Sequence, residues 1–127
     1  MATVTHLDTH VVVWLFANAV GEIPPRVRRR LESDTLTCSP VVALEIDFLR
    51  EIGRVSESGR TITDDLARRI GLSLFPAPLA AIVAAASPLS WTRDPFDRLI
   101  VASAAVDGSR LLTRDKRIRK HYRHASW

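Results

Sequence analysis

Apolar residues fall along this chain in two rhythms. Short runs rich in β-branched residues read as strands, and longer stretches with apolar positions three and four apart read as helices. Thr3–Leu7 reads as a first strand ending at Asp8. Val11–Ala17 is apolar on every side and could extend it, but Asp8-Thr9 is a helix-start pair, so a short helix is expected there. Gly21 marks a turn, and Pro24-Pro25 opens a helix to about Glu32 with Val27 and Leu31 on its inner face. Thr35–Ser39 reads as a second strand. Ser39-Pro40 is a cap followed by proline at the first helical position, predicting a helix to about Ile52 that Gly53 stops.

Arg54–Gly59 is polar and loop-like. Thr63 then caps a helix with Leu66 and Ile70 on its buried face, ended by Gly71. Leu72–Phe75 is a short third strand, and Pro76–Ser87 an Ala-rich helix interrupted by Pro78. In Trp91–Ala105, Asp94 is a natural N-cap, Pro95 suits the first helical position and Asp97 falls in the first turn. From Leu99 to Ala105 only Ser103 is polar, so this helix is expected inside the molecule. Asp107-Gly108 is a turn, Arg110–Thr113 a fourth strand, Asp115–His121 a basic helical turn and Ala125–Trp127 a last edge strand. Strands alternating with helices imply a parallel sheet of four to five strands covered on both faces, in one domain over residues 1–127.

The net charge of +4 fits a nucleic-acid partner without demanding one. Cys38, the single cysteine, can form no internal disulfide and reads as a buried reduced thiol of a cytosolic protein. Asp8 and His10 interrupt the early apolar run, so no secretory signal is expected. The Ala-rich run falls far short of the ~20 apolar residues of a membrane span.

In open α/β sheets, ligands gather beyond the carboxyl ends of the strands. Asp8 ends the first strand, Glu45 lies in the helix after the second, and Asp115 follows the fourth; Asp97 can join them. Glu45 is flanked at three and four positions by Val41, Val42, Phe48 and Leu49, so it either snorkels to the rim or points into a shared polar pocket. Two carboxylates about 5 Å apart repel by roughly 3 kcal/mol at an effective dielectric near 20. Three or four together therefore need protons or a cation, and all-oxygen ligands favour Mg²⁺ or Mn²⁺ over Zn²⁺. Such ions clamp phosphate oxygens and acidify bound water, the chemistry of phosphodiester hydrolysis.

Each acid also has an ordinary reading. Asp94 and Asp115 suit helix caps and Asp8 a turn, and Asp94 is more naturally a cap than a ligand. Thr9 and Thr113 adjoin the acids and either orient a carboxylate or are plain turn and strand residues. His10 could touch substrate, though an idle histidine near a helix start is the commoner outcome, and Asp47 reads as solvated beside Arg50. The tail carries Arg114, Lys116 and Arg117 with further basic and aromatic residues: a phosphate-backbone track beside a metal site, or else a solvated basic surface.

Leu7-Asp8-Thr9-His10, Ser39–Ile46, Asp94-Pro95-Phe96-Asp97-Arg98-Leu99-Ile100 and Leu112-Thr113-Arg114-Asp115, in that order, resemble PIN-domain proteins, and among them VapC-type toxins of type II toxin–antitoxin systems. The resemblance implies a three-layer α/β/α fold and a cytoplasmic, Mg²⁺- or Mn²⁺-dependent endoribonuclease. It matches Asp8, Glu45, Asp97 and Asp115 to the family's acidic quartet and Thr113 to its Ser/Thr near the final acid, with Asp94 in a branch motif. It also implies a homodimer neutralised by a VapB-type antitoxin.

Other classes fit less well. A receiver module would place an acceptor aspartate at the end of a middle strand, where Phe75-Pro76 stands. A haloacid-dehalogenase-like phosphatase would want an aspartate at His10. A catalytically silent RNA- or protein-binding module of the same fold is the alternative that remains.

Overall fold

The computed structural model describes residues 3–127, so the expected domain begins with two residues outside that range. Five strands form one all-parallel sheet: β1 (Val4–Leu7), β2 (Thr35–Cys38), β3 (Ser73–Leu74), β4 (Arg110–Leu112) and β5 (Ala125–Ser126), in the order β3-β2-β1-β4-β5. Parallel strands cannot be joined by tight turns, so helices cross between them. The helices are α1 (Thr9–Phe16), α2 (Pro25–Ser33), α3 (Pro40–Glu51), α4 (Gly59–Ile70), α5 (Leu79–Ala86), α6 (Pro95–Ala105) and α7 (Lys116–His121). The expected three-layer α/β/α class is borne out, with the strand number at the upper end of the expected range.

The chain leaves β1 toward β2 on one side, while β4 joins β1 from the other. This reversal opens a crevice beyond the carboxyl ends of β1 and β4, where α/β sheets place their ligands. Leu7, Val11, Leu36, Cys38, Val42, Ile46, Leu111 and Leu112 are buried around the sheet. Burial pushes the Cys38 thiol up to about 12, in keeping with an inert buried thiol. Ile100–Ala104 of α6 are likewise buried, as the missing polar face predicts.

Four local expectations need correction. The cap of α4 is Ser58, whose Oγ accepts from Thr61 N at 3.1 Å; Thr63 lies inside the helix and donates to the Gly59 carbonyl at 2.9 Å. Ile70 is exposed, because the buried face of α4 is Ile62, Thr63 and Leu66, and Ile70 lies one turn beyond it. Asp47 is not a solvated partner of Arg50. Its Oδ1 accepts the Gly59 backbone N–H at 2.8 Å, so α3 supplies an acid to the amino end of α4. Pro78 does not interrupt the Ala-rich helix but precedes α5, which begins at Leu79; the turn expected at Gly21 is a short 3₁₀ turn, Val20–Glu22. Asp47→Ala removes the acceptor of an otherwise orphaned helical N–H and is expected to cost about 1 kcal/mol, read from urea midpoints.

Candidate active site

β1 ends in Asp8, whose carboxylate does two jobs. Oδ1 accepts Thr9 N at 2.8 Å, capping α1, and Oδ2 accepts the Thr113 hydroxyl at 2.6 Å. Thr113 is fully buried after β4, and its Oγ1 also accepts Asp115 N at 3.0 Å. One hydroxyl thus fixes two acids that the chain keeps more than a hundred residues apart. Asp115 caps α7, accepting Arg117 N at 2.8 Å and Ile118 N at 3.1 Å through Oδ1. Asp94 caps α6, accepting Phe96 N at 2.9 Å and Asp97 N at 3.4 Å through Oδ1. In all three, capping uses Oδ1; Oδ2 remains for Thr113 in Asp8 and makes no protein hydrogen bond in Asp94 or Asp115 among the described residues. Cap and ligand are therefore not exclusive roles.

Glu45 does not snorkel into open solvent. It is half-buried on α3, and its Oε1 accepts the Thr9 hydroxyl. Asp8, Glu45, Asp94, Asp97 and Asp115 line one cavity of about 510 Å³. Among the described residues no lysine or arginine is ion-paired to any of them. Arg98, next to Asp97 in sequence, turns away: its Nε donates to the Thr92 carbonyl at 2.8 Å. Burial, and then Asp94, Asp8, Asp115 and Glu45, push the Asp97 carboxyl up to about 7. Burial also raises Glu45; the Thr9 hydrogen bond partly offsets that rise, and Asp8 and Asp94 add to it.

Among the described residues the acids are not drawn into a closed cage of three or more metal-ligating groups. Their chemistry still fits a hard divalent cation: oxygen donors only, a shared cavity, and a carboxyl that like charges and burial keep from ionising readily.

His10 is not idle. Its Nε2 accepts the Arg114 backbone N–H at 2.9 Å, so the neutral ring carries its proton on Nδ1, 3.6 Å from Asp8 Oδ2. Arg114 is exposed, bonded to Glu22 at 3.3 Å, with its guanidinium 5.8 Å from the Trp14 ring centre. Lys116 and Arg117 are exposed on the first turn of α7 and do not line the cavity. Sequence reasoning missed Trp14 and Arg54, which do line it. The available signal for Trp14 was its spacing of four from His10 on α1, which puts both on one helix face. Arg54, in the loop after α3, carried no such signal.

The family model described as the PIN domain matches residues 6–124. The chain belongs to the PIN-domain family. A relative in Mycobacterium tuberculosis, "Ribonuclease VapC22", is 32% identical over 124 residues, covering 94% of this chain and 92% of the relative. Among solved structures, VapBC2 from Rickettsia felis bound to a DNA fragment from its promoter shares the fold. It has a TM-score of 0.65 and 16% identity, over 93% of this PIN-domain chain and 92% of the other. No helix among the described residues of this PIN domain is long and apolar enough to cross a membrane.

Proposed function

We propose that this PIN-domain protein is a Mg²⁺- or Mn²⁺-dependent endoribonuclease, the toxin of a VapBC-type toxin–antitoxin pair that restrains translation by hydrolysing RNA phosphodiester bonds. One observation carries the reading: five carboxylates meet in one cavity, and although Arg54 also lines it, no lysine or arginine is ion-paired to any of them among the described residues. The relative named a ribonuclease and the neighbour named VapBC2 accord with it.

Asp8, Glu45, Asp97 and Asp115 are the residues that would hold the ion. Bound there, it supplies a Lewis acid for the scissile phosphate and a lowered pKa for water. The chain's own groups do the rest. Thr113 holds Asp8 in place and Thr9 holds Glu45. The second oxygen of Glu45 accepts a proton from the attacking water. Arg114, Lys116 and Arg117 carry the RNA backbone toward the acids.

Leu44 and Phe48 on α3 and Ile52 just past its end form an exposed apolar stripe, at spacings of four, and supply a face for a homodimer. A groove of about 480 Å³ beside the acids, sharing Val13, Arg54 and Val55 with their cavity, supplies a seat for a VapB-type antitoxin segment that blocks the site.

The test is direct. The full chain, incubated with end-labelled single-stranded RNA, should cut it in Mg²⁺ or Mn²⁺, fall to background in EDTA and recover on adding excess Mn²⁺. Cleavage undiminished by EDTA, or none with any divalent ion, overturns the proposal.

A further inference from the structure

The acidic cavity has a second wall of different chemistry. His10, Val13 and Trp14 of α1 face it, with Leu49 and Val55 beside them. Trp127, from beyond β5, extends the aromatic cluster: its ring centre lies 5.9 Å from that of Trp14 and 6.1 Å from that of His10. His10 and Trp14 are 5.0 Å apart. None of these pairs is stacked, since their planes cross at 60°, 71° and 51°. Trp91 and His121, elsewhere in the molecule, lie parallel within 3° at 4.8 Å. That pair is stacked face to face, whereas the rings of the cavity cluster pack at steep angles and stay partly exposed.

Two members of the cluster are held by hydrogen bonds. The Arg114 backbone N–H fixes the His10 ring, and the Trp127 carbonyl accepts from Arg26 Nε at 3.0 Å. Arg114 adds a cation over the Trp14 ring. Acids on one wall and half-buried aromatic rings with a nearby guanidinium on the other match the two ends of one nucleotide, a phosphate near the acids and a base against the open part of the indole.

Resting on the nuclease reading above, we propose that Trp14, supported by His10 and Trp127, is a stacking platform for a base of single-stranded RNA next to the scissile phosphate. A base within a duplex has both faces covered by its neighbours, so this wall selects unpaired RNA. Trp14 is thus a specificity-determining residue that acts on binding rather than on the chemical step.

The experiment uses the full chain carrying Asp97→Asn, with Mg²⁺ present, so that RNA is held without being cut. Tryptophan fluorescence is titrated with a single-stranded oligoribonucleotide, with the same strand bearing abasic sites, and with its duplex. The intact strand should quench strongly, and the abasic strand and the duplex weakly. Trp14→Leu should weaken single-strand binding by about 5- to 100-fold, the range found when one stacking aromatic is truncated. Trp14→Phe, which keeps a flat ring, should stay within about threefold of the parent. With Asp97 restored, Trp14→Leu should raise KM far more than it lowers kcat. Equal quenching by intact and abasic strands overturns the platform, as does unchanged affinity in a folded Trp14→Leu. The abasic arm needs no substitution at Trp14, so it decides the matter even if that variant does not fold. Stacking without cleavage by the unaltered chain would leave the platform standing and remove the nuclease reading; cleavage without stacking would do the reverse.

Discussion

Asp97→Asn should abolish RNA cleavage and, in the same protein, make the metal-free chain more stable at pH 8. Both effects have one cause. Asp97 stands on the first turn of α6, where burial and then four other carboxylates push its carboxyl up to about 7. An unfolded aspartate titrates near 4. Between those values the folded chain binds the extra proton, so stability falls as pH rises from about 4 to 7 and then stays at the lower level. The full shift corresponds to about 4 kcal/mol at 1.36 kcal/mol per pH unit. Asp97 is partly open to solvent, whose screening reduces this to about 1–2 kcal/mol. Asparagine removes the charge and keeps the shape, and no hydrogen bond accepted by the Asp97 carboxylate is lost among the described residues. The melting temperature in EDTA should rise by about 3–10 °C at pH 8, with the gain fading toward pH 4. Cleavage should drop by about 10³-fold or more, the usual cost of removing a member of a concerted catalytic set. Equal melting at pH 8 would show that Asp97 does not feel the other acids. Full activity would remove it from the site.

Gly59→Ala should be the most damaging glycine-to-alanine substitution in the chain. A Cβ at Gly59 would stand 1.9 Å from the Ala43 carbonyl oxygen and within 2.7 Å of its carbonyl carbon and Cα. All three are backbone atoms of α3, two residues from Glu45, so relief requires moving the helix that carries a site acid. The same glycine donates its N–H to Asp47 on α3, and any retreat of α4 stretches that bond. We expect a loss of about 3 kcal/mol or more, beyond the usual cost of overpacking because the clash is with backbone. Gly53→Ala is the comparator. It sits at φ 80° with open space around it, and should cost about 1–2 kcal/mol for its left-handed conformation alone. Urea midpoints for the two variants give the comparison. Equal losses would mean that α3 and α4 can part without penalty.

The sheet and the acids were legible in the sequence because each rests on local chemistry. Asp8 and Asp115 stand at strand-to-helix junctions and Asp94 in the loop before α6, where caps are readable from residue type. Glu45 could be singled out by the apolar residues around it on α3. What escaped depends on contacts between distant segments. Ser58 was hidden in a polar loop because Gly59, a poor helix former, follows it; only the approach of α4 to Ala43 explains a glycine there. Asp47 sat at an ordinary spacing from Arg50, and nothing local announces that its partner lies twelve residues on. The aromatic wall joins Trp14 to Trp127 across nearly the whole chain, which no periodicity can report.

The hydroxyl of Thr113, 105 positions from the Asp8 carboxylate it holds, also sets a timetable for the nascent chain. Synthesis proceeds at about 5–20 residues per second, so the first acid waits roughly 5–20 s for its anchor to be made. β1 can pair with β2 early, but its other edge stays open until β4 emerges. A ribosome-bound fragment lacking β4 therefore has Asp8, Glu45 and Asp97 but neither Thr113 nor Asp115 to complete the cavity. The acidic cavity is therefore complete only once translation has passed the fourth strand.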